Sequence, residues 1–384
     1  MLRKRVILLV PLLALFAFVA TTEERTEAAT WGCTGDPGDR IIEIPTQGKD
    51  IDAMINKDPS GTATTFCVDA GTYPVSAPAI LKAGDDLKGQ PGTTTFVQKC
   101  TAGSAGSCVN TKVPQPIPVV NLEGSGTDNL LRARGNPISI SWVDVRDASG
   151  TGNGSGAITA GSAGSDFEVA FARIHNNASV GISNMKGTVR DSEFFENSEK
   201  QSALGFNGSA VKGITEYVAA RVFVHDEQGN GLWCDVGCSD DPARGAKGFN
   251  VYDSVVVDNG RAGIRYENSS STAWLERNEV HFNGSDATRG GIDIRDSQNA
   301  TVELNVFGGA TFKYINHPEN NLVTVTYPPN TERIGIRATD SGRSGRVDLK
   351  NVVVRNNTMT NERIVPWPCT GPVVCSNNTN VGTK

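Results

Sequence analysis

Short apolar phrases closed by Asn or Asp recur along this chain, and their recurrence restricts the possible folds more than any other feature. Six copies are ARIHN (172–176), EFFEN (193–197), VFVHD (222–226), VVVDN (255–259), EVHFN (279–283) and VVVRN (352–356). Their last residues, Asn176, Asn197, Asp226, Asn259, Asn283 and Asn356, stand 21, 29, 33, 24 and 73 apart, the last interval being about three times 24. A second phrase follows within a few residues: GIS after Asn176, GLW after Asp226, GIR after Asn259 and GID after Asn283. A third short strand lies between them, as in STAWLERN (271–278) and NATVELN (299–305).

Three strands per period, each about five residues long, with Gly, Asn, Asp and Ser at the corners, do not describe a sandwich of hairpins. Two-residue Asn-Gly or Asp-Gly loops between long alternating strands are scarce here. A solenoid accounts for the period, because each coil stacks on the last and buries a shared apolar column. The composition agrees: Gly 42 with only 7% aromatic residues favours turns and short strands over helices. Strand side chains alternate, so in GIRYE (263–267) Ile264 and Tyr266 share one face and Arg265 and Glu267 the other. The aliphatic letter reads Leu232, Ile264, Ile292 and Ile336 in successive copies, which marks the inward face. A corner Asn tolerates a left-handed backbone and can bond the amide of the next coil.

Over roughly residues 119–360 this pattern resembles the repeat of the right-handed parallel β-helices of the pectin lyase-like superfamily. Residues 50–93, which contain DIDAMIN and the phrase Gly71-Thr72-Tyr73, resemble that superfamily's usual beginning. The resemblance implies an all-β chain, a right-handed single-stranded parallel β-helix with a short N-terminal capping helix. Such a cap shields the end of the stacked core and its unpaired strand edges. The expected division is a signal peptide over 1–29, cap and first coils over 30–118, β-helix over 119–365, and a disulfide-pinned tail over 366–384.

Arg3, Lys4 and Arg5 precede an apolar run from Val6 to Ala20 and then polar TTEERTEAAT. That is the pattern of a secretory leader cut between Ala20 and Ala29. The 8 cysteines of an exported chain predict up to four disulfides. Proximity favours Cys33–Cys67, Cys100–Cys108, Cys234–Cys238 and Cys369–Cys375, although spacing leaves connectivity open. The histidines are scattered singly and suggest no zinc site. A net charge of −6 gives no footprint for nucleic acid. The mature chain is expected to be an extracellular monomer, free of the membrane once the leader is removed.

In lyases and hydrolases of that superfamily the substrate groove runs along the strand that the GI phrase resembles. Its outward residues here are Trp233 and Asp235, Arg265 and Glu267, Asp293 and Arg295, and the preceding loops add Asp226, Glu227, Arg261 and Arg289. Coils stack about 4.8 Å apart, so Asp235 and Glu267 become neighbours whose repulsion calls for a positive charge. Arg265 and Arg295 are placed to supply it. Calcium, the expected cofactor, would suit the oxygen ligands Asp235, Glu267 and Asp293. An outward Trp233 fits a sugar platform. His225 is read as a structural histidine.

An acidic polysaccharide is therefore the expected partner. In a lyase a cation neutralises the uronate carboxylate and a base removes the adjacent proton, with Asp235, Glu267, Arg265 and Arg295 as the catalytic set. A glycoside hydrolase on the same groove is the second reading. The polygalacturonase motifs are not intact, however, and VHDEQGNG (224–231) echoes them only loosely. The third reading is a non-catalytic glycan-binding or cell-surface protein, because mixed outward charge serves any soluble β-helix.

Overall fold

The computed structural model describes residues 31–380 apart from 46–49, 60, 98–112, 153, 162–165, 200–207, 237, 239–247, 285–289, 309–310, 317–320, 327–332, 361 and 367–368. The expected leader and the pair Cys100 and Cys108 lie outside the described residues.

Period-two alternation builds triangular coils of short strands, and the coils stack in parallel as a right-handed β-helix. The GI phrases form one stack, in which Asn230–Cys234 pairs with Ile264–Glu267, and that strand pairs with Ile292–Arg295. A second stack includes Phe249–Tyr252, Ala273–Glu276 and Ala300–Glu303. Two long strands, Val180–Arg190 and Ser209–Ala220, run through both stacks and join them into one sheet. Five of the six apolar phrases form a third, separate stack of two- to five-residue strands that includes Phe223–His225, Val255–Val257 and Glu279–His281, whereas the sixth, VVVRN, supplies Val352–Arg355 to the second stack.

The inward column is as the alternation requires: Leu232, Ile264, Ile292 and Ile336 are each 0% exposed and belong to one continuous core. Each fully buried aliphatic side chain contributes about 1.5–3 kcal/mol. The leading glycine of the phrase has a packing reason. A Cβ on Gly231 would stand 2.4 Å from the Gly263 carbonyl oxygen, and one on Gly263 would stand 2.9 Å from that of Gly291. At the N-terminal end the helix Ile51–Asn56, with Asp50 as its N-cap, lays Ile51 and Ile55 on the core. The solenoid begins before residue 119, since Arg40–Ile44 and Thr64–Val68 already stack. It also continues through the tail, where Val373–Ser376 and Thr379–Asn380 extend two stacks.

The closing residue of the apolar phrase divides into two roles. Asn176, Asp226 and Asn356 hold the left-handed corner, with φ of 51°, 53° and 56°. The next residue is the rung of a side-chain ladder. Asn177 Nδ2 donates to Asn197 Oδ1 (2.8 Å), Asn197 Nδ2 to Glu227 Oε1 (2.7 Å), and Asn259 Nδ2 to Asn283 Oδ1 (2.7 Å). A second ladder runs at another corner through Asn278, Asn305, Asn357 and Asn378. The expectation that one recurring Asn does both jobs is therefore corrected. The two tasks fall to neighbours: left-handed Asn176 sends its Nδ2 to the carboxylates of Glu196 and Glu199, while Asn177 aims into the buried ladder.

Among the described residues, two antiparallel strand pairs interrupt the parallel pattern, Thr93–Val97 with Val113–Ile117 and Thr311–Asn316 with Asn321–Thr326. Val113 of the first and Val323 of the second pack with Phe223, Val255, Val257 and Phe282. The outer face of the third stack is thereby covered.

Candidate functional site

Register decides which outward side chains meet. Along the GI stack it aligns Lys212, Trp233, Arg265, Asp293 and Arg337 in one outward column over successive coils. Trp233 points outward as its parity predicts, yet it is only 4% exposed. Lys212 Nζ lies 4.3 Å from its ring centroid and Arg265 Cζ lies 5.2 Å away. The coil repeat places one cation on each neighbouring coil, where the ring's negative faces attract them. Trp233 is thus a packed element of the column, and the expected open sugar platform is corrected. Trp274, on the second stack, is the most exposed tryptophan among the described residues, at 39%.

The carboxylates are neutralised pairwise. Lys212 Nζ stands 2.9 Å from Asp235 Oδ2, and Arg265 Nη2 stands 2.8 Å from Glu267 Oε1. Arg337 grips Asp293 with both prongs, Nε to Oδ1 at 2.8 Å and Nη2 to Oδ2 at 3.3 Å. Arg295 is in register with Glu267 but pairs with Asp296 at 3.8 Å. Among the described residues no three His, Cys, Asp or Glu side chains converge to hold a metal ion. Asp235, Glu267 and Asp293 do not fit a calcium site, because ammonium and guanidinium groups already face their oxygens.

The loop residues are dispersed. Asp226 is a corner residue bonded to His225 Nδ1 at 2.8 Å, and Glu227 is a ladder rung only 1% exposed. Glu227 is too deeply buried to touch a substrate, which corrects its assignment. Arg261 sits in the turn before Ile264–Glu267, with its backbone N–H on the Gly229 carbonyl. Arg289 lies outside the described residues. Lys212 was missed because its copy, SAVKG (209–213), lacks the Gly-Ile letters; only counting coils would have found it.

A second polar cluster lies on the covered face of the third stack. His175 Nε2 meets Asp144 at 3.0 Å, and His225 Nε2 meets Glu193 Oε1 at 3.1 Å. Gln115, from the first hairpin, donates to the same Glu193 oxygen at 2.9 Å. Burial works against the His225 charge, but the hydrogen bonds it donates to Asp226 and Glu193 outweigh it and raise its pKa to about 9. The structural reading of His225 holds. Disulfides join Cys33 to Cys67, Cys234 to Cys238 and Cys369 to Cys375.

Triangular coils of parallel strands, a helix capping the first of them and outward ladders of paired charge are now all in place. The fold is the parallel β-helix that the sequence repeat predicts. No family model matches this β-helix, and no curated protein matches it. Among solved structures it is similar to the A-module of a mannuronan C-5 epimerase from Azotobacter vinelandii, with 15% identity over 92% of this chain and 94% of that one and a TM-score of 0.47. The β-helix is also similar to a surface adhesin of Streptococcus pneumoniae, with 8% identity, 86% and 79% coverage and a TM-score of 0.46. An alginate lyase from a Paenibacillus species is 10% identical over 89% of this chain and 95% of that one, with a TM-score of 0.37.

Proposed function

We propose that the protein is an exported β-helix that engages an acidic polysaccharide along the outward columns of the GI stack and cleaves it as a uronan lyase. The observation that carries this reading is the central column itself. In a chain of net charge −6 it places Lys212, Arg265 and Arg337 on alternate coils, with Trp233 and Asp293 between them. Three disulfides among the described residues support export.

Elimination takes a proton from the carbon beside the uronate carboxylate, breaks the bond to the leaving oxygen and forms a carbon–carbon double bond. The carboxylate must be neutralised and a base must stand close. Side chains of Arg295 (24% exposed) and Arg337 (17% exposed) are the cations that reach solvent. Asp235, at 19% against 11% for Glu267 and 0% for Asp293, is the carboxylate best exposed to accept the proton. Lys212, in contact with Asp235, is the neighbour that can pass it on.

The test is to incubate the purified chain with a panel of uronans, with and without a chelator. A lyase releases unsaturated ends that absorb ultraviolet light. Reducing ends without that chromophore would replace the reading with a hydrolase. Retention of the glycan with neither product would leave a binding protein, a reading favoured by the mutual pairing of every charge named above.

A further inference from the structure

Glu227 occupies a place in the first ladder that every other named rung fills with asparagine. The two asparagine rungs before it give from Nδ2 twice, to the next rung and to a core-strand carbonyl: Asn177 also donates to the Val145 oxygen at 3.3 Å and Asn197 to that of Ile174 at 2.9 Å. Glu227 keeps the accepting half of the pattern. Its Oε1 takes the Asn197 Nδ2 bond at 2.7 Å, and its backbone N–H reaches Asn259 Oδ1 at 3.1 Å. Where asparagine would offer a donor, Glu227 has Oε2, buried and without a hydrogen-bond partner. A carboxylate there would leave a charge and a lone-pair oxygen among acceptors, an arrangement costly in a dry interior.

We propose that Glu227 is carried as a neutral carboxylic acid, a proton-holding rung, and that losing this proton at alkaline pH loosens the coil leading into Asn230–Cys234, which bears Trp233. The surroundings agree from each side. His225 and Asp226 of its own coil face it, Glu193 and Asn197 lie on the coil before, and Asp258 and Asn259 lie on the coil after, with Arg333 acting on Asp258. Burial is the largest influence on the group and raises its pKa to about 8. The Asn197 bond and the His225 charge oppose this rise, and Asp226 adds to it. A folded value raised above the ordinary 4.5 makes this contribution complete below that pH and lost as pH rises through about 8. His225 adds a loss of the same sign at higher pH, between its ordinary 6.5 and about 9.

The experiment is thermal unfolding of the full chain at matched conditions from about pH 6 to about pH 9, for wild type and Glu227→Gln. The glutamine amide supplies the missing donor at every pH. The variant should melt higher than wild type at the alkaline end, and its fall in Tm across the range should shrink by about half, leaving the His225 part. Hydrogen exchange over residues 223–235 at matched alkaline pH should be slower in the variant. Equal melting curves and equal exchange would overturn the proposal. Should the glutamine variant fail to fold, infrared spectroscopy of wild type decides. A protonated-carboxyl band that titrates away near pH 8 is expected, and absence of any such band at neutral pH refutes the neutral acid. Neither readout depends on the polysaccharide assay.

Discussion

Lys212 Nζ stands 2.9 Å from Asp235 Oδ2 while lying over the ring of the intervening Trp233, so one ammonium serves both an ion pair and an aromatic face. Lys212 is 8% exposed and Asp235 is 19% exposed, which places the pair under partial cover. Removing one partner of a buried pair strands the other charge and costs about 3 kcal/mol. Lys212→Met and Asp235→Asn should therefore each destabilise the fold by roughly that amount. Making both changes together should cost less than the sum of the two. A denaturant double-mutant cycle measures this, and additive losses would mean the pair is not coupled. Uronan cleavage should be lost in Asp235→Asn.

Trp233 supplies a sharper contrast between structural and ligand roles. A side chain 4% exposed and held between two cations is part of the packing. Trp233→Ala should lower unfolding free energy by about 3 kcal/mol, with an unchanged denaturant slope. Wild-type stability combined with weakened glycan retention would restore it as a sugar platform.

His225 sits between Glu193 and Asp226, whose hydrogen bonds overcome the effect of burial and hold its pKa near 9. Because the folded value exceeds the ordinary 6.5, its contribution is full below that pH and disappears as pH rises through about 9. Imidazole resonances of His225 should titrate near the upper value, and Glu193→Gln should move them downward. Since Glu193 also receives the Gln115 bond, the same variant should speed hydrogen exchange in the hairpin strand Val113–Ile117. An unshifted titration would separate His225 from Glu193.

The fold was legible because strand alternation fixes parity residue by residue. Ile264 and Tyr266 could point only inward once Leu232 and Ile292 were aligned with them, and the helix at Ile51–Asn56 was expected from the resemblance carried by residues 50–93. Burial of the outward face was not legible. Parity says where Trp233 points, but not that Lys212, from a copy without the Gly-Ile letters on the preceding coil, reaches over to cover it. Rung and corner were conflated for a related reason: Asn176 and Asn177 are adjacent and chemically alike, and only φ separates their roles. Glu227 was taken for a loop ligand because a lone carboxylate in VHDEQG carries no mark of the ladder position it fills.

The three outward carboxylates also decide how the chain should respond to divalent cations. Asp235, Glu267 and Asp293 have Lys212, Arg265 and Arg337 as their partners, and no set of three acidic, His or Cys side chains converges among the described residues. A cation that bound the native state alone would raise Tm in proportion to the logarithm of its concentration. Neither added calcium nor a chelator should therefore move the melting temperature of wild type. The double change Asp235→Asn with Glu267→Gln should lower it under either condition, because Lys212 and Arg265 then lose their counter-charges in a site largely shielded from water. A calcium-dependent rise in wild type that the double change abolishes would show that the carboxylates exchange their cationic partners for the metal, and the column would have to be redrawn as a metal-assisted site.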